Sequence, residues 1–197
     1  MDSLTAEFSE KRVLITGGLG LIGSNLGREL VTLGAKVTLI DSLLPEGGGN
    51  RFNISGIEDK LAVHIADMQE EDLVAGLLRG QDYLFNLAGQ TSHLGSLQDS
   101  QADLRANAVN QLKLLQLCRQ ENPSIRIVHT STRQVYGRPH YLPVDEAHPV
   151  SPVDYNGVSK LAGEQYHTIC HSLYGLRTTC LRLTNVYGPR MRIKDPR

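Results

Sequence analysis

The stretch TGGLGLIG (16–23) is the feature that most limits how this chain can fold. It follows the β-rich run KRVLIT (11–16) and precedes SNLGRELVTLG (24–34), whose apolar residues have helical spacing. A second β-rich run, KVTLID (36–41), comes next. This order of strand, glycine turn, helix and strand predicts a βαβ unit, which requires parallel strands and a right-handed crossover.

The alternation of strands and helices continues along most of the chain. Further strands are predicted at 61–67, 82–89, 125–132 and 176–185, and further helices at 68–80, 96–120 and 153–174. Strands that alternate with helices are typical of α/β proteins. We therefore expect a doubly wound parallel sheet with helices on both faces.

Composition excludes several classes of function. Twenty basic and 21 acidic residues give a formal net charge of -1. A nucleic-acid-binding protein usually carries an excess of positive charge on one surface, and this composition provides no such excess. The N-terminal residues 1–10 are polar and acidic, and no run reaches the roughly 18 apolar residues of a membrane span. We expect a cytoplasmic protein that binds neither nucleic acid nor membrane. The odd cysteine count, without a C-x-x-C pair, predicts no disulfide framework and no metal site.

The glycine turn has the chemistry of a phosphate-binding loop. Gly17, Gly20 and Gly23 are spaced at i, i+3 and i+6, which allows positive φ and a close approach of the backbone to a ligand. The amides and the dipole at the helix start then face a pyrophosphate. Asp41 closes the second strand, 18 residues after Gly23, where its carboxylate can accept hydrogen bonds from the adenosine ribose and repel the extra phosphate of NADP. The predicted cofactor is therefore NAD.

The end of the third strand has two readings. Asp67 and Met68 suit the edge and face of an adenine, because the carboxyl ends of the strands face the ligand crevice of such a sheet. Alternatively, Asp67 is the N-cap of a helix that begins near Gln69.

A family resemblance rests on several motifs together. The spacing G-x-x-G-x-x-G, the two aspartates, NLAG (86–89), STRQVYG (131–137), SKLAGE (159–164) and LRLTNVYGPR (181–190) resemble the extended short-chain dehydrogenase/reductase family. The chain looks most like its NAD-dependent epimerase/dehydratase group. The resemblance implies an NAD-binding Rossmann domain over 11–190, with 1–10 as a polar extension, a nucleotide-sugar substrate and a homodimer built from the two longest helices. It adds four residues to the cofactor site: Leu21, Ile22, Leu87 and Ala88.

The resemblance also implies roles in catalysis. In this family a tyrosine four residues before a lysine, with a serine or threonine of the fifth strand, removes a proton from a sugar hydroxyl while a hydride passes to NAD. The lysine ammonium stabilises the phenolate and binds the nicotinamide ribose. By resemblance Thr132 and Lys160 are catalytic, Lys160 and Asn107 belong to the cofactor site, and Asn185 contacts the diphosphate of the substrate.

One position departs from that pattern. Asn156 stands four residues before Lys160, and Tyr155 stands five before it. On a regular helix four residues return to within about 40° of the same face, whereas five overshoot by about 140°. Three accounts stay open: Tyr155 is catalytic because the helix begins at Asn156 or later; Thr132, Lys160 and a bound water handle the proton; or the domain binds NAD without turnover.

Two further departures bear on the reaction. Sugar 4,6-dehydratases of the family carry an Asp-Glu pair after the threonine, where this chain has Arg133 and Gln134. Epimerisation or simple oxidation of a nucleotide sugar is thus expected, with a non-catalytic NAD-binding module as the alternative. Family members continue into a smaller substrate-binding lobe, so 191–197 is expected to begin a lobe that is absent or truncated.

Overall fold

The computed structural model describes residues 3–45 and 47–192. Its strands are β1 Arg12–Thr16, β2 Lys36–Asp41, β3 Leu61–Ile65, β4 Tyr83–Asn86, β5 Arg126–Thr132 and β6 Arg177–Leu183. Its α-helices are α1 Ser3–Phe8, α2 Leu21–Thr32, α3 Glu71–Leu78, α4 His93–Gln98, α5 Ser100–Leu104, α6 Asn110–Glu121 and α7 Tyr155–Tyr174. Most of the segment 191–197, where the start of a second lobe is expected, lies outside the described residues.

The six strands form one parallel sheet in the order β3-β2-β1-β4-β5-β6. All five neighbouring pairs are parallel, with Ile15 of β1 opposite Leu39 of β2 on one side and Phe85 of β4 on the other. The strand order reverses between β1 and β4, and ligands of such sheets bind at this switch point. The predicted doubly wound Rossmann fold is confirmed.

Side chains of β1 alternate between two cores, one on each face of the sheet. Leu14 packs in the cluster that includes residues of α3, α6 and α7, whereas Val13 and Ile15 pack in the cluster that includes Leu30 of α2. Because both faces of the central strands are covered, their sequences are almost continuously apolar. This packing fixes the carboxyl ends of the strands, where the site lies.

The N-terminal residues form part of the domain. Phe8 of α1 packs on Tyr83 and Phe85 of β4, with ring centroids 5.1 and 6.5 Å away. Glu7 accepts a hydrogen bond from the Tyr83 hydroxyl and pairs with Arg126 Nη1 at 2.8 Å. The segment predicted as a polar extension therefore contributes to the core.

The single helix predicted over 96–120 is divided. Asp99 ends α4 and caps α5, because its Oδ1 atom accepts a hydrogen bond from the amide of Ala102 at 2.8 Å. Arg105–Val109 then winds as one π turn before α6 begins. Local side-chain capping competes with the helical periodicity at Asp99. Within the described ranges, no helix combines the length and apolar character that a membrane crossing requires.

Candidate functional site

A cleft of about 960 Å³ opens at the carboxyl ends of the strands, across the switch point between β1 and β4. This volume is at the upper end of the roughly 300–1,000 Å³ of ligand pockets. The structure brings most of the predicted site residues to its walls: Gly17, Gly20, Leu21, Ile22, Gly23, Asp41, Asp67, Met68, Leu87, Ala88, Thr132, Lys160 and Asn185. Asn107 and Tyr155 are not among the lining residues.

The glycine turn leaves the start of α2 open toward the cleft. Gly17 has a φ of 64°, and a Cβ atom on Gly23 would overlap the carbonyl oxygen of Gly17. The N-cap is Gly20, so no side chain caps the helix. The first amides of a helix have no acceptor within it, and those of Leu21 and Ile22 lie at the cleft wall. An anionic diphosphate fits this end because it supplies the acceptors that the turn lacks.

Asp41 lies at the end of β2 and lines the cleft. Its Oδ2 atom accepts a hydrogen bond from the amide of Leu19 at 3.0 Å, and its Oδ1 atom accepts one from the amide of Leu43 at 2.9 Å. Each carboxylate oxygen can accept a second bond. Asp41 therefore fixes both loops around it and keeps acceptor capacity for a pair of hydroxyls.

Asp67 and Met68 line the same part of the cleft, beyond β3. The Oδ1 atom of Asp67 accepts a hydrogen bond from the amide of Gln69 at 2.8 Å, and its own amide donates to Glu70 Oε1 at 3.0 Å. Helix α3 begins later, with Glu70 as N-cap. Asp67 thus orders the turn that leads to the helix but is not its N-cap.

Thr16 joins the ends of β1 and β4 beneath the cleft. Its Oγ1 atom donates to Asn86 Oδ1 at 2.9 Å and accepts hydrogen bonds from the amides of Leu87 and Ala88, both at 3.0 Å. These bonds hold the residues after β4 against Gly17, where an added Cβ would lie 3.0 Å from the Ala88 nitrogen. The backbone in the middle of the cleft is therefore fixed by a buried side chain.

Lys160 is buried in the wall of the cleft, with 5% of its surface exposed. Its Nζ atom is 3.5 Å from the carbonyl oxygen of Thr130 on β5, and a Cβ atom on Gly89 would lie 2.8 Å from Nζ. Burial lowers the pKa of Lys160 to about 8, although the nearby carboxylate of Asp103 opposes that shift. The amine can therefore exchange a proton near neutral pH.

The structure places Asn156, and not Tyr155, at the cleft. Helix α7 begins at Tyr155, because the side chain of Asp154 caps it by accepting the amide hydrogen of Gly157 at 2.7 Å. Tyr155 is consequently the first helical residue, 56% exposed and outside the cleft wall, whereas Asn156 is 1% exposed and lines it. The expectation that the helix begins at Asn156 or later, which would let Tyr155 reach the site, is wrong.

Asn156 belongs to a buried polar cluster that the sequence did not reveal. Its Nδ2 atom donates to the carbonyl oxygen of Gln90 at 3.0 Å and to Asp103 Oδ1 at 2.7 Å. Asn107 donates to the same two acceptors, at 3.1 and 3.0 Å. Asn107 therefore shapes the backbone behind the cleft rather than facing it. In the sequence, the only local indication of a role for Asp103 is that it stands four residues before Asn107 in a helical segment, a spacing that makes two side chains neighbours.

The hydroxyl of Thr132 is oriented by Gln134. Thr132 Oγ1 accepts a hydrogen bond from the amide of Gln134 at 3.2 Å and donates to Gln134 Oε1 at 3.3 Å. Both residues and the exposed Arg133 line the cleft. Gln134 therefore directs the Thr132 hydroxyl, and neither Gln134 nor Arg133 can act as a carboxylic acid.

Two histidines stack below this part of the cleft. The rings of His129 and His167 are 4.5 Å apart and nearly parallel. His167 Nδ1 lies 2.6 Å from Thr178 Oγ1. Burial lowers the pKa of His129 to about 2 and that of His167 to about 4, so both rings are neutral at pH 7.

An uncapped glycine turn and an acidic residue on the next strand, at the switch point of a parallel sheet, define a dinucleotide-binding Rossmann domain. The chain belongs to the NAD dependent epimerase/dehydratase family, whose model matches residues 13–197. The cofactor predicted from the glycine turn and Asp41, NAD, is the cofactor of this family.

Individual relatives agree with this assignment. The chain is 32% identical over 186 residues to a putative UDP-glucose 4-epimerase of Methanocaldococcus jannaschii, a match that covers 94% of this chain and 58% of that protein. The fold is similar to that of the UDP-N-acetylglucosamine 4-epimerase from Methanobrevibacter ruminantium M1 in complex with UDP-N-acetylmuramic acid, with a TM-score of 0.88 and 32% identity over 95% of this chain and 59% of that one. The dTDP-glucose 4,6-dehydratase DesIV from Streptomyces venezuelae with NAD and TYD bound gives a TM-score of 0.87 at 29% identity, over 93% and 59% of the two chains. The chain thus spans somewhat more than half the length of these relatives.

Proposed function

We propose that this chain binds NAD in the cleft and oxidises a hydroxyl of a nucleotide sugar, as an epimerase or an oxidoreductase. The observation that carries the proposal is a single cleft that joins the uncapped start of α2, the carboxylate of Asp41 and the buried amine of Lys160. The start of α2 suits the diphosphate of a dinucleotide, and Asp41 suits its ribose. Lys160 supplies a titratable group at the other end of the cleft.

The residues along the cleft match the successive parts of an NAD molecule. The amides from Gly20 to Gly23 would hold the diphosphate, Asp41 the adenosine ribose, and Asp67 with Met68 the adenine. Leu87 and Ala88 would lie along the dinucleotide, and Lys160 would bind the nicotinamide ribose. Bound NAD supplies the acceptor for a hydride.

The sugar would lie between β5 and the segment after β6. Thr132 presents a hydroxyl oriented by Gln134, and Asn185 lines the cleft where the diphosphate of a sugar nucleotide is expected. In the dehydratases that the chain resembles, the acid and base of water elimination are an acidic pair directly after the threonine. Arg133 and Gln134 stand there, which favours epimerisation or oxidation over dehydration.

Calorimetry tests cofactor binding. NAD titrated into cofactor-free protein should bind, and Asp41→Ala should weaken binding by about tenfold or more, because a charged hydrogen-bonding group contributes roughly 1.5–3 kcal/mol. Asp72→Ala is the matched control, since Asp72 lies in the first turn of α3 outside the cleft. Equal affinities for the two variants would contradict the proposed NAD site.

Turnover separates this proposal from its rival, an NAD-binding module without catalysis. No tyrosine is among the described residues that line the cleft, which favours the rival, whereas the buried titratable lysine favours the enzyme. UDP-hexoses added to the NAD complex should raise the reduced-nicotinamide absorbance, and an epimerase should also release the epimeric sugar. NAD binding without either change would support the non-catalytic module.

A homodimer is also proposed, formed by α6, α7 and the preceding helical segment. Apolar side chains remain exposed on α7 and on the helical segment that precedes α6: Leu104, Val109, Val158, Ile169 and Leu173. Burial of such side chains between two copies would remove them from water. Sedimentation velocity should give the mass of two chains, and Ile169→Glu with Leu173→Glu should give that of one.

A further inference from the structure

We propose that the neutral amine of Lys160 is itself the group that takes the proton from the sugar hydroxyl, a task that needs no tyrosine in this cleft. The inference rests on the proposed function, because it assigns the proton acceptor for the oxidation of a nucleotide sugar.

Few groups in the cleft can exchange a proton near Thr132. The titratable side chains that line the described cleft are Asp41, Asp67, Arg133, Lys160 and Arg192. The two aspartates follow β2 and β3, which are three and four strands from β5, or about 14 and 19 Å at a strand spacing of about 4.8 Å. The guanidinium groups stay protonated and cannot accept a proton. Lys160, beside Thr130 on β5, remains.

The position of Asn156 keeps a phenol out of this end of the cleft. An amide has no titratable proton near neutral pH, and Asn156 donates its hydrogens to Gln90 and Asp103. Tyr155 points away, 56% exposed and outside the cleft wall. Among the described lining residues, no phenol is therefore available to pass a proton from the substrate to Lys160.

The surroundings of Lys160 favour its neutral form more than those of an ordinary lysine do. Its Nζ atom contacts a carbonyl oxygen at 3.5 Å, and Lys160 takes part in no salt bridge within the described ranges. The charged and titratable groups that face it are Asp103 from α5 and His129 from β5, with His167 of α7 stacked behind. Burial lowers the pKa of Lys160 to about 8, Asp103 opposes this, and both histidines are neutral.

Asp103 tunes the lysine through the polar cluster. Its Oδ1 atom accepts hydrogen bonds from Asn107 and Asn156, whereas its buried Oδ2 atom has no hydrogen-bond partner among the described residues. The negative charge of this carboxylate therefore stabilises the charged form of Lys160. It acts as a positioning residue and does not touch the substrate, because it does not line the cleft.

The step balances without any further reactant. The lone pair of Lys160 Nζ forms an N–H bond with the hydroxyl hydrogen as the O–H bond breaks, and the oxygen electrons form the C=O bond. The C–H bond of the same carbon breaks, and NAD in its oxidised form, once bound, would supply the hydride acceptor. The products would be a keto sugar, reduced NAD and the Lys160 ammonium, and the reverse step would return the proton and the hydride.

A pH series of pre-steady-state reduction tests this role. The rate at which reduced nicotinamide forms with a UDP-hexose should rise with pH to a plateau in the natural protein, with an apparent pKa below that of an ordinary lysine. Tyr155→Phe should leave the rate within about twofold and the profile unchanged. Lys160→Arg should lose about 100-fold or more at every pH, the effect of removing a general base, and should still bind NAD in calorimetry. Asp103→Asn should shift the profile to lower pH.

An NMR titration adds a measurement that does not need turnover. In cofactor-free protein labelled with ¹³C-lysine, the Lys160 resonance, identified by its loss in Lys160→Arg, should titrate near pH 8. In Asp103→Asn it should titrate lower. A midpoint at the ordinary lysine value above about 10 would overturn the inference.

Different experimental results would refute the proposed enzymatic function and the proposed role of Lys160. A natural protein that binds NAD but reduces it with no nucleotide sugar refutes the enzymatic function, and this role with it. A natural protein that turns over while Lys160→Arg retains its rate, or Tyr155→Phe loses it, refutes the role of Lys160 alone.

Discussion

Replacing Asn156 with alanine should destabilise the fold by about 2–3 kcal/mol. The side chain is 1% exposed and donates two hydrogen bonds, one to the Gln90 carbonyl at 3.0 Å and one to the Asp103 carboxylate at 2.7 Å. A neutral hydrogen bond contributes about 0.5–1.5 kcal/mol and one to a charged group about 1.5–3 kcal/mol. Both acceptors keep a hydrogen bond from Asn107, so neither is left without a partner. The loss of stability should therefore lie in the lower half of the range that the two hydrogen bonds give together.

Urea unfolding measures this cost directly. Tyr155→Phe is the matched neighbour, because its side chain is 56% exposed and the change removes only a hydroxyl. It should change the free energy of unfolding by less than about 0.5 kcal/mol. In a thermal scan, Asn156→Ala should lower the midpoint by roughly 4–12 °C, at about 2–4 °C per kcal/mol for a chain of this size. If Tyr155→Phe cost more than Asn156→Ala, the assignment of Asn156 to the buried face would be refuted.

Two other perturbations have defined outcomes. Gly23→Ala should abolish measurable NAD binding in calorimetry and lower stability, because the added methyl would overlap a backbone oxygen of the phosphate-binding turn; binding equal to that of the natural protein would contradict the geometry of the turn. Stability should also fall in acid. Burial lowers the pKa of His129 to about 2 and that of His167 to about 4, from an ordinary 6.5, so below pH 6.5 the unfolded chain binds more protons than the folded one. The free energy of unfolding should then drop by up to about 1.4 kcal/mol per pH unit for each ring. Urea titrations from pH 7 to pH 5 should show this slope, and His167→Gln should reduce it by about half; an unchanged slope in that variant would exclude His167 as a source.

Features with a local cause could be predicted from the sequence. The first two strands, the glycine turn and Asp41 lie within about 30 residues, and the alternation of apolar runs with helical spacing sufficed to place them. The break at Asp99 was missed because one capping side chain overrode a helical pattern that continues on both sides. The packing of Phe8 was missed because a helix of six residues is too short to show periodicity.

The polar cluster could not be predicted, because its bonds join distant parts of the chain. Asn156 meets Asp103 across 53 positions and Gln90 across 66. Whether Tyr155 or Asn156 faces the cleft depends on the residue at which α7 begins, and a shift of one residue changes the answer. Asp154 and Asn156 are both favourable N-cap types, and only the hydrogen bond from the Gly157 amide to Asp154 decides between them.

The cluster also limits what a single substitution can restore. Asn156→Tyr would bring a phenol to the position where the family carries its base, but it would remove both hydrogen bonds of the amide and leave the buried Asp103 carboxylate with only the Asn107 donor. A less well satisfied carboxylate favours the charged form of nearby Lys160 more strongly, which raises the pKa of the lysine. The same ammonium would then assist a phenolate but would be a poorer base itself. We therefore expect Asp103 to link residue 156 to the protonation of Lys160: a tyrosine at this position would go with a more strongly protonated lysine, and the natural Asn156 with a lysine that loses its proton more readily.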